Sequence, residues 1–223
     1  MKKFFLLGLT LLAVAASAQD SGCPACTIIQ SHQRGSLQAG REELTVPPGR
    51  MSLFGMASGN SEENRAKVWL RTGVTPRLDL GAGYSRMGNR FTVIATWHPL
   101  STQDGMPFDL LMGYGFSNTN VREQEGFYTF AVKSFGRLSV VTGFERLRNG
   151  RNIGVLAGSY ILSADKGLMF YSHTGSMPGE PTLYNISFVQ RVGNAQIGLW
   201  WFHPSRESTF GLSFSTQIAL RSR

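Results

Sequence analysis

The chain has 223 residues, 42% of them hydrophobic and 11% aromatic, with 22 basic against 14 acidic side chains for a net charge of +8. That length holds one domain or two small ones. The apolar and aromatic content excludes a disordered chain, and two cysteines with unperiodic glycine exclude a disulfide scaffold and a collagen-like chain.

The first segment is an address. Lys2 and Lys3 precede an apolar run from Phe4 to Ala16, followed by Ala16-Ser17-Ala18. A basic end, a short greasy stretch and small residues at −3 and −1 make residues 1–18 a secretory signal peptide, cleaved before Gln19. The run is far short of the ~20 residues a spanning helix needs, and Asp20 stands where a lipobox would have an aliphatic residue. Losing Lys2 and Lys3 takes the net charge from +8 to +6. The protein is expected to be exported. Since no later run reaches helix-spanning length, a spanning protein would have to be a barrel.

Residues 19–48 read as a loosely ordered periplasmic lead-in, rich in Gln, Ser and Gly and ending Val46-Pro47-Pro48-Gly49. It holds Cys23-Pro24-Ala25-Cys26, two thiols close enough for a small-ring disulfide or a tether to a partner in an oxidising compartment. A redox or metal role, with His32 as a further ligand, is the alternative. Thr27 occupies the place of the histidine that haem attachment needs, and no βαβ context accompanies the pair.

Beyond Pro48 the texture changes to segments of eight to twelve residues with alternating apolar and polar side chains. They begin near residues 50, 66, 77, 90, 108, 126, 137, 152, 166, 182, 195 and 208, which makes about twelve strands over residues 49–223, with ten or fourteen as the alternatives. In the last, Phe210, Leu212, Phe214, Ile218 and Leu220 share one parity, and Thr209, Gly211, Ser213, Ser215 and Gln217 the other. Successive strand side chains point to opposite faces, so one face is oily and one polar. Leu78, Leu80, Ala82 and Tyr84 repeat this against Asp79, Gly81, Gly83 and Ser85. The segments from 152 and 166 have ambiguous parity. Tight links at Thr75-Pro76, Phe135-Gly136 and Gly193-Asn194 alternate with longer ones from Gly59, Asn118 and Thr174, as periplasmic turns and external loops would. The link from Ser101 to Pro107 interrupts that alternation.

Alternation alone leaves open which face points inward. A soluble barrel carrying an apolar ligand encloses the oily face, and a membrane barrel exposes it. Here the polar parity is Gly, Ser and Thr rather than Lys and Glu, a poor solvent face. Aromatics gather near segment ends, including Tyr84, Trp97, Phe116, Phe144 and Trp201. Twelve strands also close too wide for side chains alone to fill. These features favour an all-β, antiparallel, up-and-down transmembrane barrel.

Val46-Pro-Pro-Gly49 leading into the first strand, Leu78-Asp-Leu-Gly-Ala-Gly-Tyr84 and Phe210-Gly-Leu-Ser-Phe214 together resemble small bacterial outer-membrane, porin-like β-barrels. The resemblance is one of texture over residues 46–220. It implies residence in a Gram-negative-type outer membrane, contact with outer-membrane lipid, and insertion by the barrel-assembly machinery. The chain closes Leu220-Arg-Ser-Arg223 rather than on the aromatic residue usual in that class.

Lys67, Arg71, Arg90, His98, Lys133, Arg137 and Arg191 fall on the expected lumen parity, against Asp79, Asp109 and Glu145. A basic lumen concentrates anions, whereas charges paired across strands merely fill it, and the 19–48 lead-in could itself be a plug. The expected role is a passive, weakly anion-selective pore for small polar or anionic solutes. No catalytic set, cofactor or metal is expected, and no nucleic acid, since the basic residues are dispersed. A lipid acyl hydrolase using His173 and Ser176 is the third reading, although Gly175 occupies the place two after His173 where such enzymes carry serine.

Overall fold

The computed structural model describes residues 44–59, 64–85, 90–117, 126–147, 150, 152–174, 183–203 and 209–220. Twelve antiparallel strands close into one barrel. In chain order they are β1 (Arg50–Gly59), β2 (Asn64–Thr75), β3 (Leu78–Ser85), β4 (Arg90–Leu100), β5 (Asp109–Ser117) and β6 (Gly126–Phe135). The second half is β7 (Leu138–Leu147), β8 (Asn152–Ser163), β9 (Lys166–Thr174), β10 (Leu183–Val192), β11 (Ala195–His203) and β12 (Thr209–Ala219). Each strand pairs with its neighbours in sequence, and β12 returns to β1 with Phe54 opposite Ser215 and Met56 opposite Ser213. Closure leaves no strand edge unpaired, which is what a sheet surrounded by hydrocarbon requires.

One rim carries the tight connections: Pro76-Arg77, Gly136-Arg137, Ala164-Asp165 and Gly193-Asn194. Gly136 and Gly193 adopt φ of 62° and 61°, the left-handed geometry that lets a two-residue turn follow strand twist. In the Ala164-Asp165 turn, a hydrogen bond from the Ser163 hydroxyl (2.6 Å) holds the Asp165 carboxyl below its usual range. The longer Ser101–Pro107 link belongs to this same rim and is a folded unit. A single 3₁₀ turn, Thr102–Asp104, is capped by Ser101, whose Oγ accepts from the Gln103 N–H. Asp109 ties it down, accepting from the Thr102 N–H and hydroxyl, both at 2.9 Å. Pro99 lies at the register shift between Trp97 and Leu100, where a missing N–H leaves no ladder bond unmade. The connections at the opposite rim fall largely outside the described residues.

The orientation of the faces is unambiguous. Leu212, Phe214 and Ile218 of β12 are exposed on the outer wall, as are Leu80 of β3, Val93 of β4, Leu199 of β11 and Ile186 of β10. Exposed aromatics mark both ends of this surface: Tyr84, Phe91, Phe116, Phe144, Trp201 and Phe210 toward the loop rim, Trp97, Phe135 and Tyr160 toward the turn rim. A soluble protein does not leave an apolar surface of this extent in water. The carrier reading, with the oily face enclosed, is overturned by these exposures.

The interior differs from the expected polar lumen in one respect. Ser52, Thr96, Ser139, Ser159, Ser187 and Ser215 do face inward. Between them, however, stand buried Phe54, Trp69, Ile94, Leu111, Phe130, Val141, Met169 and Trp200. In β8 and β9 both faces are apolar: Val155, Ala157, Met169 and Tyr171 inside, Leu156, Tyr160, Leu168 and Phe170 outside. That double apolarity is the reason period-two alternation is indistinct there.

Candidate functional site in the barrel lumen

Small residues on one strand make room for large ones on the next. A Cβ at Gly113 of β5 would fall on the Tyr128 hydroxyl and on the carbonyl oxygen of Ala95. The bare backbone lets the Tyr128 ring lie across it, where its OH shares a 2.7 Å hydrogen bond with Thr96 Oγ1. Phe130 stacks beside it with ring centroids 5.2 Å apart. Gly113→Val is therefore expected to displace Tyr128 and destabilise the barrel by ~1–3 kcal/mol through overpacking. A urea titration of folding into vesicles checks this, and an unchanged midpoint would refute it.

The lumen also holds a buried ion pair. Arg71 on β2 and Asp79 on β3 sit either side of the Pro76-Arg77 turn, and both side chains are almost wholly removed from solvent. The guanidinium grips the carboxylate with two bonds, Nε to Oδ1 at 3.1 Å and Nη2 to Oδ2 at 2.5 Å. This fork matches carboxylate geometry and is the stronger form of a charge-assisted bond. Asp79 Oδ2 also accepts the Val46 N–H at 3.0 Å. A second pair stands further round the same rim, with His98 Nε2 3.0 Å from Asp109 Oδ1.

The chain entering β1 occupies the same mouth. Leu44, Thr45 and Val46 are buried, and Leu44 joins the cluster formed by the inward apolar side chains. Thr45 Oγ1 donates to the Pro76 carbonyl at 3.0 Å. Pro48 bridges to Gly73, the Arg50 N–H bonds back to the Pro47 carbonyl, and the chain then joins the wall. This contact was not legible in the sequence beyond the Pro-Pro-Gly punctuation, because it depends on Asp79, 33 residues away.

The seven basic positions separate into groups. Arg71 and His98 are buried in the lumen, each against an aspartate, and Lys67 shares the inward face of β2 with Trp69 and Arg71. Arg191 lies toward the turn rim of β10 and donates to the Gly193 carbonyl at 3.1 Å. Lys133 departs from its expected place. Val132 is the inward residue of β6, so Lys133 is exposed on the opposite parity, its ammonium on the Pro107 carbonyl. Arg137 is an exposed turn residue rather than a wall residue. Arg90 opens β4, and its side chain is not among those described. Cys23, Cys26 and Ser176 lie outside the described residues, as does the side chain of His173.

The tight-turn rim thus gathers Arg50, Arg77, Lys133, Arg137, Lys166 and Arg191 against Asp104 and Asp165, with Arg77 paired to Asp104. The described inward charges are nearly balanced: Lys67, Arg71 and His98 against Asp79, Asp109 and Glu145. On β10 and β11, Asn185 Oδ1, Ser187 Oγ and Gln196 Nε2 are buried with no hydrogen-bond partner among the described residues. The inner wall offers polar handles there.

No family model matches this sequence, and no curated protein matches it. Solved structures do. The KdgM porin superposes with a TM-score of 0.58 at 8% identity, covering 75% of this chain and 98% of that one. The same porin in complex with disordered oligogalacturonate gives the same values. Mutants of the Rhodopseudomonas blastica porin match at TM-scores of 0.43 and 0.44 and 11% identity, this chain spanning about half of their length, 55%. The KdgM likeness is one of fold: an all-β, porin-like closed barrel.

Proposed function

We propose that this chain is an outer-membrane β-barrel providing a passage for small polar solutes, with a weak preference for anions, and that it performs no chemistry. The observation that carries this reading is the inverted distribution of polarity, oily outside and mixed polar inside, on a closed twelve-strand wall. Strands of eight to twelve residues rise ~3.3 Å per residue and, tilted by ~40°, match an apolar band ~25 Å tall. Tight turns face the periplasm in such barrels, which places the basic rim on that side. Within the fold, the KdgM porin complexed with oligogalacturonate is a precedent for an acidic solute.

The residue placements move the source of anion preference. The nearly balanced inner charges give little field, so the excess of cations at the tight-turn mouth is the selective element. Purified protein in planar bilayers under a salt gradient is expected to conduct in discrete steps with a reversal potential favouring anions. That preference should shrink in Lys133→Gln/Arg137→Gln. It should also shrink as the Debye length falls from ~10 Å at 0.1 M to ~3 Å at 1 M salt. Silent bilayers for both the full chain and a chain starting at Pro47 would overturn the pore reading.

A further inference from the structure

On β9 and β10 the outer wall carries polar side chains among apolar ones. Exposed Lys166 shares the outward parity of exposed Leu168 and Phe170, and exposed Gln190 that of Ile186 and Phe188. The register sets Lys166 directly opposite Gln190, Leu168 opposite Phe188, and Phe170 opposite Ile186. A polar pair at the turn rim therefore stands above two apolar rows on one strip of the wall. Tyr160 of β8, opposite Leu168, places the aromatic belt one row further from the turns. Such belts sit at headgroup level. An ammonium and an amide beside them call for polar partners that acyl chains cannot supply.

We propose that this strip seats an anionic glycerophospholipid of the leaflet that the tight turns meet. The phosphodiester lies against Lys166 and Gln190, and the acyl chains run along Leu168, Phe188, Phe170 and Ile186. The inference rests on the membrane reading of the wall and adds to it a choice of lipid. Lysine brings a point charge on a stem long enough to reach the headgroup, and glutamine brings two amide donors. A Cβ at Gly158 of β8 would fall on the Phe170 ring, so that ring lies against the wall rather than standing off it. The local charge has the right sign. Asp165 is the acidic neighbour, its carboxylate accepting from the Ser163 hydroxyl. Exposed Arg137, whose carbonyl accepts the Ile161 N–H, brings a second cation to the β8 side. Two cations against one carboxylate match a headgroup of net negative charge rather than a zwitterion. Each cation near a membrane surface favours an anionic lipid about fivefold.

Native mass spectrometry tests the choice. The full chain in detergent is titrated with equimolar phosphatidylglycerol and phosphatidylcholine of matched acyl chains, and the lipids retained are counted. The intact protein should retain phosphatidylglycerol about fivefold in preference. Lys166→Gln/Gln190→Leu should bring that ratio close to one, and Asp165→Asn should raise it. Arg146→Gln removes an exposed cation of outward parity from the opposite end of β7, and should keep the ratio of the intact protein. Folding of each chain is verified by its heat-modifiable mobility on a gel. If the double variant does not fold, Lys166→Gln and Asp165→Asn, with their opposite signs, carry the comparison. Equal retention of the two lipids by the intact protein would overturn the seat. So would a loss in Arg146→Gln as large as in the double variant. If the seat fails while the chain still folds into phosphatidylcholine vesicles, the membrane reading stands. A chain that retains neither lipid and does not enter such vesicles would remove both.

Discussion

Asp79→Ala is expected to cost ~3–5 kcal/mol of barrel stability, the range for removing one partner of a buried ion pair. Arg71 brings a charged, planar guanidinium into the lumen. In the native barrel its fork is met by a carboxylate that is itself fully buried. Truncation takes away both fork bonds and the acceptor of the Val46 N–H. Water cannot easily replace them at a site so withdrawn from solvent. The cost should therefore lie mainly in the arginine deprived of this carboxylate, not in the loss of net attraction. Accordingly the double variant Arg71→Met/Asp79→Leu should recover most of the loss, since apolar replacement of a whole buried pair is often neutral. Equilibrium folding into lipid vesicles by urea titration measures all three chains. A loss below ~1 kcal/mol for Asp79→Ala would place the pair with solvent-screened ones and contradict its burial.

Leu199→Arg is expected to cost ~2–4 kcal/mol in a bilayer, the penalty for a cation at the midplane of a barrel's lipid face. Leu199 stands at the middle of β11, exposed, directly opposite Leu212 of β12. The discriminating feature is depth. Val192→Arg places the same charge on the same outer surface but at the turn-rim end of β10, where the cost should fall to ~0–1 kcal/mol. A water-facing wall predicts no such gradient, because an exposed arginine is indifferent to its height on a soluble barrel. Vesicle folding equilibria for the two variants decide the matter. Equal and negligible costs would remove the membrane from the account, and with it the proposed passage.

The two expectations probe different strengths of sequence evidence. Every strand begins within two residues of where alternation and turn residues place it, because period two and Gly/Pro punctuation are local properties of the backbone. Phe210, Leu212 and Phe214 already declared a common face. The inner wall was harder to read, for a physical reason. A lumen that is itself partly apolar puts Val155 and Leu156, or Met169 and Phe170, on opposite faces with the same chemistry. Lys133 illustrates a related limit. At a strand end next to a turn, a lysine tolerates either parity, since its long stem carries the ammonium to the Pro107 carbonyl at the rim.

By itself, then, the sequence determined where the strands begin, the alternation within most of them, the tight turns that punctuate them, and that one of the two faces is oily. Those follow from interactions between residues close along the chain. Barrel closure set what remained: that Arg71 meets Asp79, that His98 meets Asp109, and that Val46 hangs from a carboxylate 33 residues downstream. Such partners are brought together by register and curvature summed over the whole wall, and no window of sequence contains that sum.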